Sequence, residues 1–272
     1  MTYFMSYGYI LALIIKYGSI IAVPIGLFAC WRLWRRPESY RKILGWLLLA
    51  LILVSCYARF IEPQLITTYQ QQIDVDFVAN DDQPIRIVLF ADPHLGVYKS
   101  PKFLERAINK INQLEPDLVL IPGDFYYKPN KTELPTLLNS LAQLNAPTYA
   151  TAGNHDYYDG NNGSYYNDLK TSLQKNKIQL LQNQSSSLTI NNKKLTILGF
   201  GDIWYEEIDQ HMNLLANTTP SDNVITLVHN PDSIFEFPNN HSDLTVAGHT
   251  HGGQIRIPWL YKKMIPTVGD FD

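Results

Sequence analysis

The sequence predicts an α/β domain with strands buried on both faces, preceded by a hairpin of two membrane-spanning helices. Three observations carry this reading. From about Gln70 onward, apolar β-branched runs alternate with segments of helical periodicity. The runs are short and apolar, as in strands covered on both sides. Before residue 62, two long apolar stretches give the chain a different composition from everything that follows.

The first stretch is YILALIIKYGSIIAVPIGLFACW, Tyr9–Trp31, and the second is ILGWLLLALILVSCYA, Ile43–Ala58. A helix crossing the hydrocarbon core needs about 20 apolar residues, with roughly 17 as a floor. The second stretch reaches that length if Arg59 snorkels and Phe60 and Ile61 are counted. The first is long enough but carries Lys16, which must snorkel or lie outside the span. A cleaved signal peptide would start with basic residues, yet none precedes Lys16, and a second apolar run follows. Between the stretches, Arg32, Arg35, Arg36, Arg41 and Lys42 crowd a short loop, which the positive-inside rule keeps in the cytoplasm. Residues 1–62 are therefore expected to form a multi-pass anchor in the cell membrane, and residues 70–272 a domain on its extracytoplasmic side.

Within that domain, PIRIVLFAD (Pro84–Asp92) reads as a buried strand. PKFLERAINKINQL (Pro101–Leu114) reads as a helix, with proline in its first turn and apolar residues at helical spacing. DLVLIPGD (Asp117–Asp124) is a second buried strand, TELPTLLNSLAQL (Thr132–Leu144) a second helix, and PTYATAGNHD (Pro147–Asp156) a short strand and turn. The Asn-, Gln- and Ser-rich region Gly160–Asn192 is expected to hold one helix and two short strands or loops. Three apolar strands follow: Lys194–Asp202, Asn223–Asp232 and Asp243–His251.

Composition removes several functions. A net charge of −3 and a pI near 6.2 lack the basic footprint of a nucleic-acid binder, so no nucleic-acid partner is expected. The two cysteines, Cys30 and Cys56, both lie in the apolar stretches. The domain thus has no disulfide framework, cysteine nucleophile or cysteine zinc site.

Most of the strands end in polar, ionisable residues. They supply Asp92 and His94, then Asp124, then Asn154, His155 and Asp156, then His229, and finally His249 and His251. In open α/β sheets, ligands bind beyond the carboxyl ends of the strands, so these side chains should converge. Five of the seven histidines occupy such positions; His211 and His241 sit in polar contexts and read as surface residues. One histidine at a strand end is usually a hydrogen-bonded structural residue. Five, with two aspartates and an asparagine, would be buried polar groups sharing one natural partner, a cation. The oxygen and imidazole donors suit manganese first, with iron or zinc as alternatives, and not copper. There are too many donors for one ion. Two divalent metal ions about 3.5–4 Å apart can clamp the attacking and leaving oxygens of a phosphoryl displacement.

In this order the motifs resemble the calcineurin-like metallophosphoesterase superfamily. D-x-H stands at Asp92-Pro93-His94, GD at Gly123-Asp124, GNHD at Gly153-Asn154-His155-Asp156, a lone histidine at His229, and GHTH at Gly248-His249-Thr250-His251. The resemblance implies the metallophosphoesterase type of fold, a two-layer β-sandwich flanked by helices. It also implies that Asp92, His94 and His251 hold one ion, that Asn154, His229 and His249 hold the other, and that Asp124 bridges them. A hydroxide shared by the ions would be the nucleophile. His155 would protonate the leaving oxygen, with Asp156 orienting it. Gly123, Gly153, Gly248, Gly252 and Gly253 would let the backbone turn beside the ligands.

GHTHGGQIRIP behind a membrane segment is similar to a bacterial membrane-associated subgroup, which includes UDP-2,3-diacylglucosamine pyrophosphate hydrolases and phosphodiesterases. That implies a lipid-linked substrate. A UDP-linked one belongs on the cytoplasmic face, against the sidedness set by the basic loop. Two departures stand out. Pro93 replaces an aliphatic residue, and the chain stops at Asp272 where the family continues through further strands, which reads as a shortened carboxyl end.

The expected function is a membrane-anchored two-metal hydrolase of a phosphodiester or pyrophosphate bond. A nuclease of the same superfamily is disfavoured by the acidic pI. A membrane sensor or scaffold with a degenerate domain is disfavoured by the intact ligand set. Tyr126, Tyr127, Tyr157, Tyr158, Trp204 and Tyr205 cluster beside the motifs, as core and cleft rim or as a wall for an acyl chain or nucleobase. Trp259 and Tyr261 fit a membrane interface. No pattern identifies a substrate-binding residue.

Overall fold

The computed structural model describes residues 7–75, 83–157, 165–205, 214–215, 223–238, 241–252, 265 and 267–269. The chain divides into two compact units, Met1–Gln71 and Gln72–Asp272.

In the first unit, α1 (Tyr7–Trp34) and α2 (Ser39–Cys56) are joined by a short turn. A wide helical turn over Tyr57–Ile61 and a tight one over Glu62–Gln64 extend α2. The continuous apolar stretch Ser39–Gln64 thereby reaches 26 residues. Phe60 and Ile61 are thus helical, as the span required. The two helices meet where Gly45 passes Trp34: a Cβ there would overlap the indole. The Trp34 and Trp46 rings lie 4.9 Å apart beside it. Away from this seam, Ile14, Ile21, Leu47 and Val54 are exposed. Both helices are long and apolar enough to cross a membrane.

Among the described residues, the second unit is built on two four-stranded sheets. The first runs β1 (Ile87–Leu89), β3 (Leu118–Pro122), β5 (Thr148–Thr151), β6 (Gln179–Leu180), all parallel. The other runs β10 (Leu244–Val246), β9 (Asn223–Leu227), β8 (Lys193–Gly199) in parallel, with β7 (Gln184–Ile190) antiparallel at its edge. A small parallel pair joins β2 (Leu95–Gly96) to β4 (Tyr126–Tyr127).

Strand periodicity explains the layering, because alternate residues face opposite sides. Leu118 and Leu120 of β3, with Tyr149, pack against Ile197, Ile225 and Leu227 of the second sheet. Val119 and Ile121, with Ala150, face the opposite way. They meet Leu104 and Ile108 of α3 (Pro101–Gln113) and Leu169 and Leu173 of α6 (Tyr166–Lys175). This is the expected two-layer sandwich with helices outside it. Leu120 is fully buried between the sheets. Leu120→Ala should cost about 2–5 kcal/mol, seen as a lower urea midpoint of the full chain in detergent. An unchanged midpoint would contradict the packing.

Three expectations need correction. The helix expected over Thr132–Leu144 is instead one turn, α4 (Leu134–Leu137), followed by a tighter turn over Asn139–Gln143. Leu138 breaks it at φ −99° and ψ 6°. Asn139 and Ser140 follow, and such side chains compete for backbone hydrogen bonds. Leu134, Leu137 and Leu141 still reach the core, so the apolar pattern was real while the continuous helix was not. The first strand is shorter than Pro84–Asp92, because Asp92 turns out at φ 51°. Finally, β7 is not buried on both faces: its polar Gln-Ser-Ser-Ser start lies at the sheet edge, exposed or half-exposed.

Tyr158, His211, Gly253, Trp259, Tyr261 and most of the segment after Gly252 lie outside the described residues. Near the chain end, the Val268 and Gly269 amides donate to the Asp232 carboxylate at 2.8 and 2.9 Å.

Candidate metal centre

The ligands predicted from the strand ends meet beyond β1, β3 and β5 of one sheet and β9 and β10 of the other. The backbone there is unusual. Asp92, His94, Asp124, His249 and His251 have φ of 51°, 45°, 56°, 67° and 51°. A left-handed conformation costs an L-residue roughly 1–2 kcal/mol, although Asp and His adopt it more readily than most. Strain concentrated in one place is a mark of function. Two of the motif glycines have a steric reason. A Cβ on Gly123 would strike the Gly153 backbone, and one on Gly153 would strike the Asp124 carboxylate and the His229 ring.

One donor atom each from Asp92, His94, Asp124 and His251 lies within 4.8 Å of the others, and so do Asp124, His229 and His249. Asp124 belongs to both groups. Its Oδ2 is 3.4 Å from His94 Nε2 and 3.4 Å from His229 Nε2. On one side, His94 Nε2 faces His251 Nε2 at 3.0 Å. On the other, Asn154 Oδ1 is 3.0 Å from both His229 Nε2 and His249 Nδ1. The His249 amide donates to Asp92 Oδ1 at 3.1 Å, tying the last loop to the first.

These donors fit a cation. His229 Nδ1 lies 2.6 Å from the Pro122 carbonyl, to which it donates, leaving Nε2 directed at the centre. Around Nε2 stand Asn154 Oδ1, Asp124 Oδ2 and His249 Nδ1, the last at 3.1 Å. Positive charge is needed among these atoms, as a proton or as a metal. Burial alone would lower the His229 pKa, but the Asp124, Asp92 and Asp202 carboxylates outweigh it and raise it to about 9. Burial opposes ionisation of Asp124 as well, yet His229 and His94 hold its carboxyl well below the usual range. Burial pushes His94 down to about 3 despite Asp124 beside it, which leaves a neutral imidazole suited to metal binding.

His155 stands beside the ligands. Its amide donates to Asp124 Oδ1 at 2.9 Å, and its ring lies edge-on to His94 at 5.1 Å. Burial lowers its pKa, with Asp124 opposing. Asp156, expected to orient His155, accepts from the Gly153 amide at 3.0 Å and the Tyr126 amide at 3.1 Å. It therefore fastens the second metal loop to the third. Complete burial, reinforced by Asp124, pushes its pKa up to about 7.

Sequence reasoning missed Asp202. It follows β8, is fully buried, accepts from the Trp204 amide at 2.9 Å and acts electrostatically on His229. Its signal was available, since Gly201-Asp202 repeats the strand-terminal GD of Gly123-Asp124. The aromatics divide between the two expected roles. Tyr126 is core, whereas Trp204 is exposed with its ring 4.8 Å from that of His249. Tyr127 lies 5.6 Å from His94 and 5.2 Å from His155, ring to ring. Tyr157 stacks between Tyr166 and Tyr205. His241 packs on Phe237 away from the ligands.

The sequence pattern of calcineurin-like phosphoesterases matches residues 85–253, which span every one of these donors. The chain belongs to that family. It is a metal-dependent phosphoester hydrolase with a divalent-metal site. The metallophosphoesterase YkuE of Bacillus subtilis is 30% identical over 217 residues, 78% of this chain and 74% of its own. The phosphodiesterase YaeI of Escherichia coli is 29% identical over 213 residues, 77% of this chain and 76% of its own. The UDP-2,3-diacylglucosamine pyrophosphatase LpxG of Chlamydia muridarum is 27% identical over 253 residues, 76% of this chain and 76% of its own. Similarity to all three extends the family assignment beyond the motifs themselves.

Proposed function

We propose that this phosphoesterase is a membrane-anchored, two-metal enzyme that cleaves a phosphodiester or pyrophosphate bond of a lipid-linked substrate. The carrying observation is Asp124, whose carboxylate is common to both donor groups. Asp92, His94 and His251 hold one ion, Asn154, His229 and His249 the other, and Asp124 both. Manganese is the first choice for these oxygen and imidazole donors. When bound, the ions lower the pKa of a water molecule and neutralise charge developing on the phosphoryl oxygens. His155 delivers a proton to the leaving oxygen. Asp156 acts as a positioning residue through the backbone ties just described.

Residues 1–62 form the anchor and residues 70–272 the catalytic domain. Relatives that include a phosphodiesterase and a pyrophosphatase of a lipid-linked nucleotide support the substrate class. Elemental analysis, chelation and add-back test the metal requirement on the full chain in detergent. Bis-p-nitrophenyl phosphate turnover should vanish with the metal and return with manganese. Full turnover by protein confirmed free of metal would overturn the reading.

The five basic residues from Arg32 to Lys42, in and flanking the turn between α1 and α2, favour a cytoplasmic hairpin turn and an extracytoplasmic catalytic domain. A reporter active only outside the cytoplasm, fused after Asp272, should therefore be active. A silent reporter paired with an active cytoplasmic counterpart would reverse the placement, onto the face where UDP-linked lipids lie.

A further inference from the structure

We infer that Lys99 and Lys128 form an anion subsite beside the metal centre that binds a second phosphate, making a pyrophosphate diester the preferred substrate over a simple phosphodiester. The inference rests on the two-metal reading and asks which of its two substrate classes the site is built for.

Both lysines are carried by the extensions of metal-binding loops. His94 and Leu95 donate backbone hydrogen bonds to Asp124 and Phe125 at 3.0 and 2.8 Å, so the first and second loops leave the centre side by side. They continue as β2 and β4, and Val97 donates to the Tyr127 carbonyl at 3.2 Å. Lys99 follows one strand and Lys128 the other. The Gly96 amide donates to the Lys99 carbonyl at 2.9 Å, which folds that loop back. A Cβ on Gly96 would overlap the Tyr127 carbonyl, so the close approach of the two loops depends on this glycine.

Each ammonium rests on an aromatic ring, and each charge reaches one residue of the site. The Lys128 ammonium lies 5.2 Å from the centre of the Tyr127 ring, which itself contacts the His155 and His94 rings at 5.2 and 5.6 Å. Lys128 also acts electrostatically on His155. The Lys99 ammonium lies 4.5 Å from the Phe103 ring centre, and its charge interacts with that of Asp92. Burial lowers the Lys99 pKa, so its charged form lacks hydration that an anion could replace. Among the described residues, neither ammonium is in ion-pair contact with a carboxylate. Lys128 also adopts φ 48°, a conformation that glycine or asparagine would take more easily.

Charge decides what these cations are for. A phosphodiester carries one negative charge, which two divalent ions already satisfy. A pyrophosphate diester carries a second, displaced from the scissile phosphorus toward whichever wall is positive. Lys128, whose charge reaches His155, and Lys99, whose charge reaches Asp92, supply that wall.

The test uses dimethyl phosphate and symmetrical dimethyl pyrophosphate, which differ only by the second phosphate. Calorimetry gives the Kd of each for the manganese-loaded full chain in detergent, in a His155→Ala background that slows turnover, with methyl phosphate release followed to confirm that the ligand outlasts each titration. The pyrophosphate should bind at least about tenfold more tightly, the usual scale for a charge-assisted contact. The Lys99→Met, Lys128→Met double variant should abolish that preference, and Lys128→Arg should retain most of it. General damage to the site would weaken both ligands and leave their ratio intact. Equal affinities in the starting protein, or a ratio untouched by the double variant, would overturn the subsite. Failure to bind manganese would instead overturn the parent reading.

Discussion

Asp124→Ala is expected to lose bound metal and activity together. Turnover of bis-p-nitrophenyl phosphate should fall at least about 10³-fold, since several kcal/mol of charge stabilisation depend on an intact pair of ions. The reason is positional. Asp124 Oδ2 lies 3.4 Å from an imidazole of each donor group, and Oδ1 accepts the His155 amide. Removing the carboxylate therefore takes a donor from both groups and loosens the residue beside them. It also leaves His229, fully buried, without its strongest counter-charge. Elemental analysis of purified variant and parent gives the metal content directly. Retention of both ions at full stoichiometry would remove Asp124 from the bridging position.

His155→Ala should behave differently, with metal content near that of the parent and turnover reduced about 10²-fold or more, the usual scale for a general acid. Its ring is edge-on to His94 at 5.1 Å and is absent from both groups of converging donors. The loss should be largest for an alkyl leaving group, which departs as a strong base and needs the proton. It should shrink for p-nitrophenolate, which does not. Equal losses on both substrates would remove the proton-transfer role, and loss of metal would make His155 a ligand. The paired variants thus separate binding from chemistry, because Asp124 belongs to both donor groups and His155 to neither.

Much of this site was legible because its chemistry is local in sequence. Asp92, Asp124, Asn154, His229 and His249 each follow a short apolar strand, and strand ends in α/β folds face the ligand. The fold class was legible for a similar reason: period-two burial in Leu118–Ile121 and helical spacing in α3 are properties of a few consecutive residues. Legibility failed where a backbone choice is decided by neighbours. Within Thr132–Leu144, Asn139 and Ser140 weaken the helix but do not fix where it ends, and the chain leaves it at Leu138 while still delivering Leu141 to the core. The bond that the Tyr126 amide donates to Asp156 joins residues 30 apart in the chain, which no local pattern foretells.

By itself, then, the sequence determined which residue types gather, in what order, and on what kind of scaffold. Only the tertiary structure decided how they meet. The His94–His251 contact closes across 157 residues, and His229 reaches the Pro122 carbonyl across 107. Asp124 became common to two groups because the first and second sheets place their strand ends on one centre. Asp202, which follows β8 of the second sheet, joined that neighbourhood for the same reason. Hydrogen-bond distance and electrostatic reach depend on separation in space, and packing two sheets face to face sets that separation independently of distance along the chain.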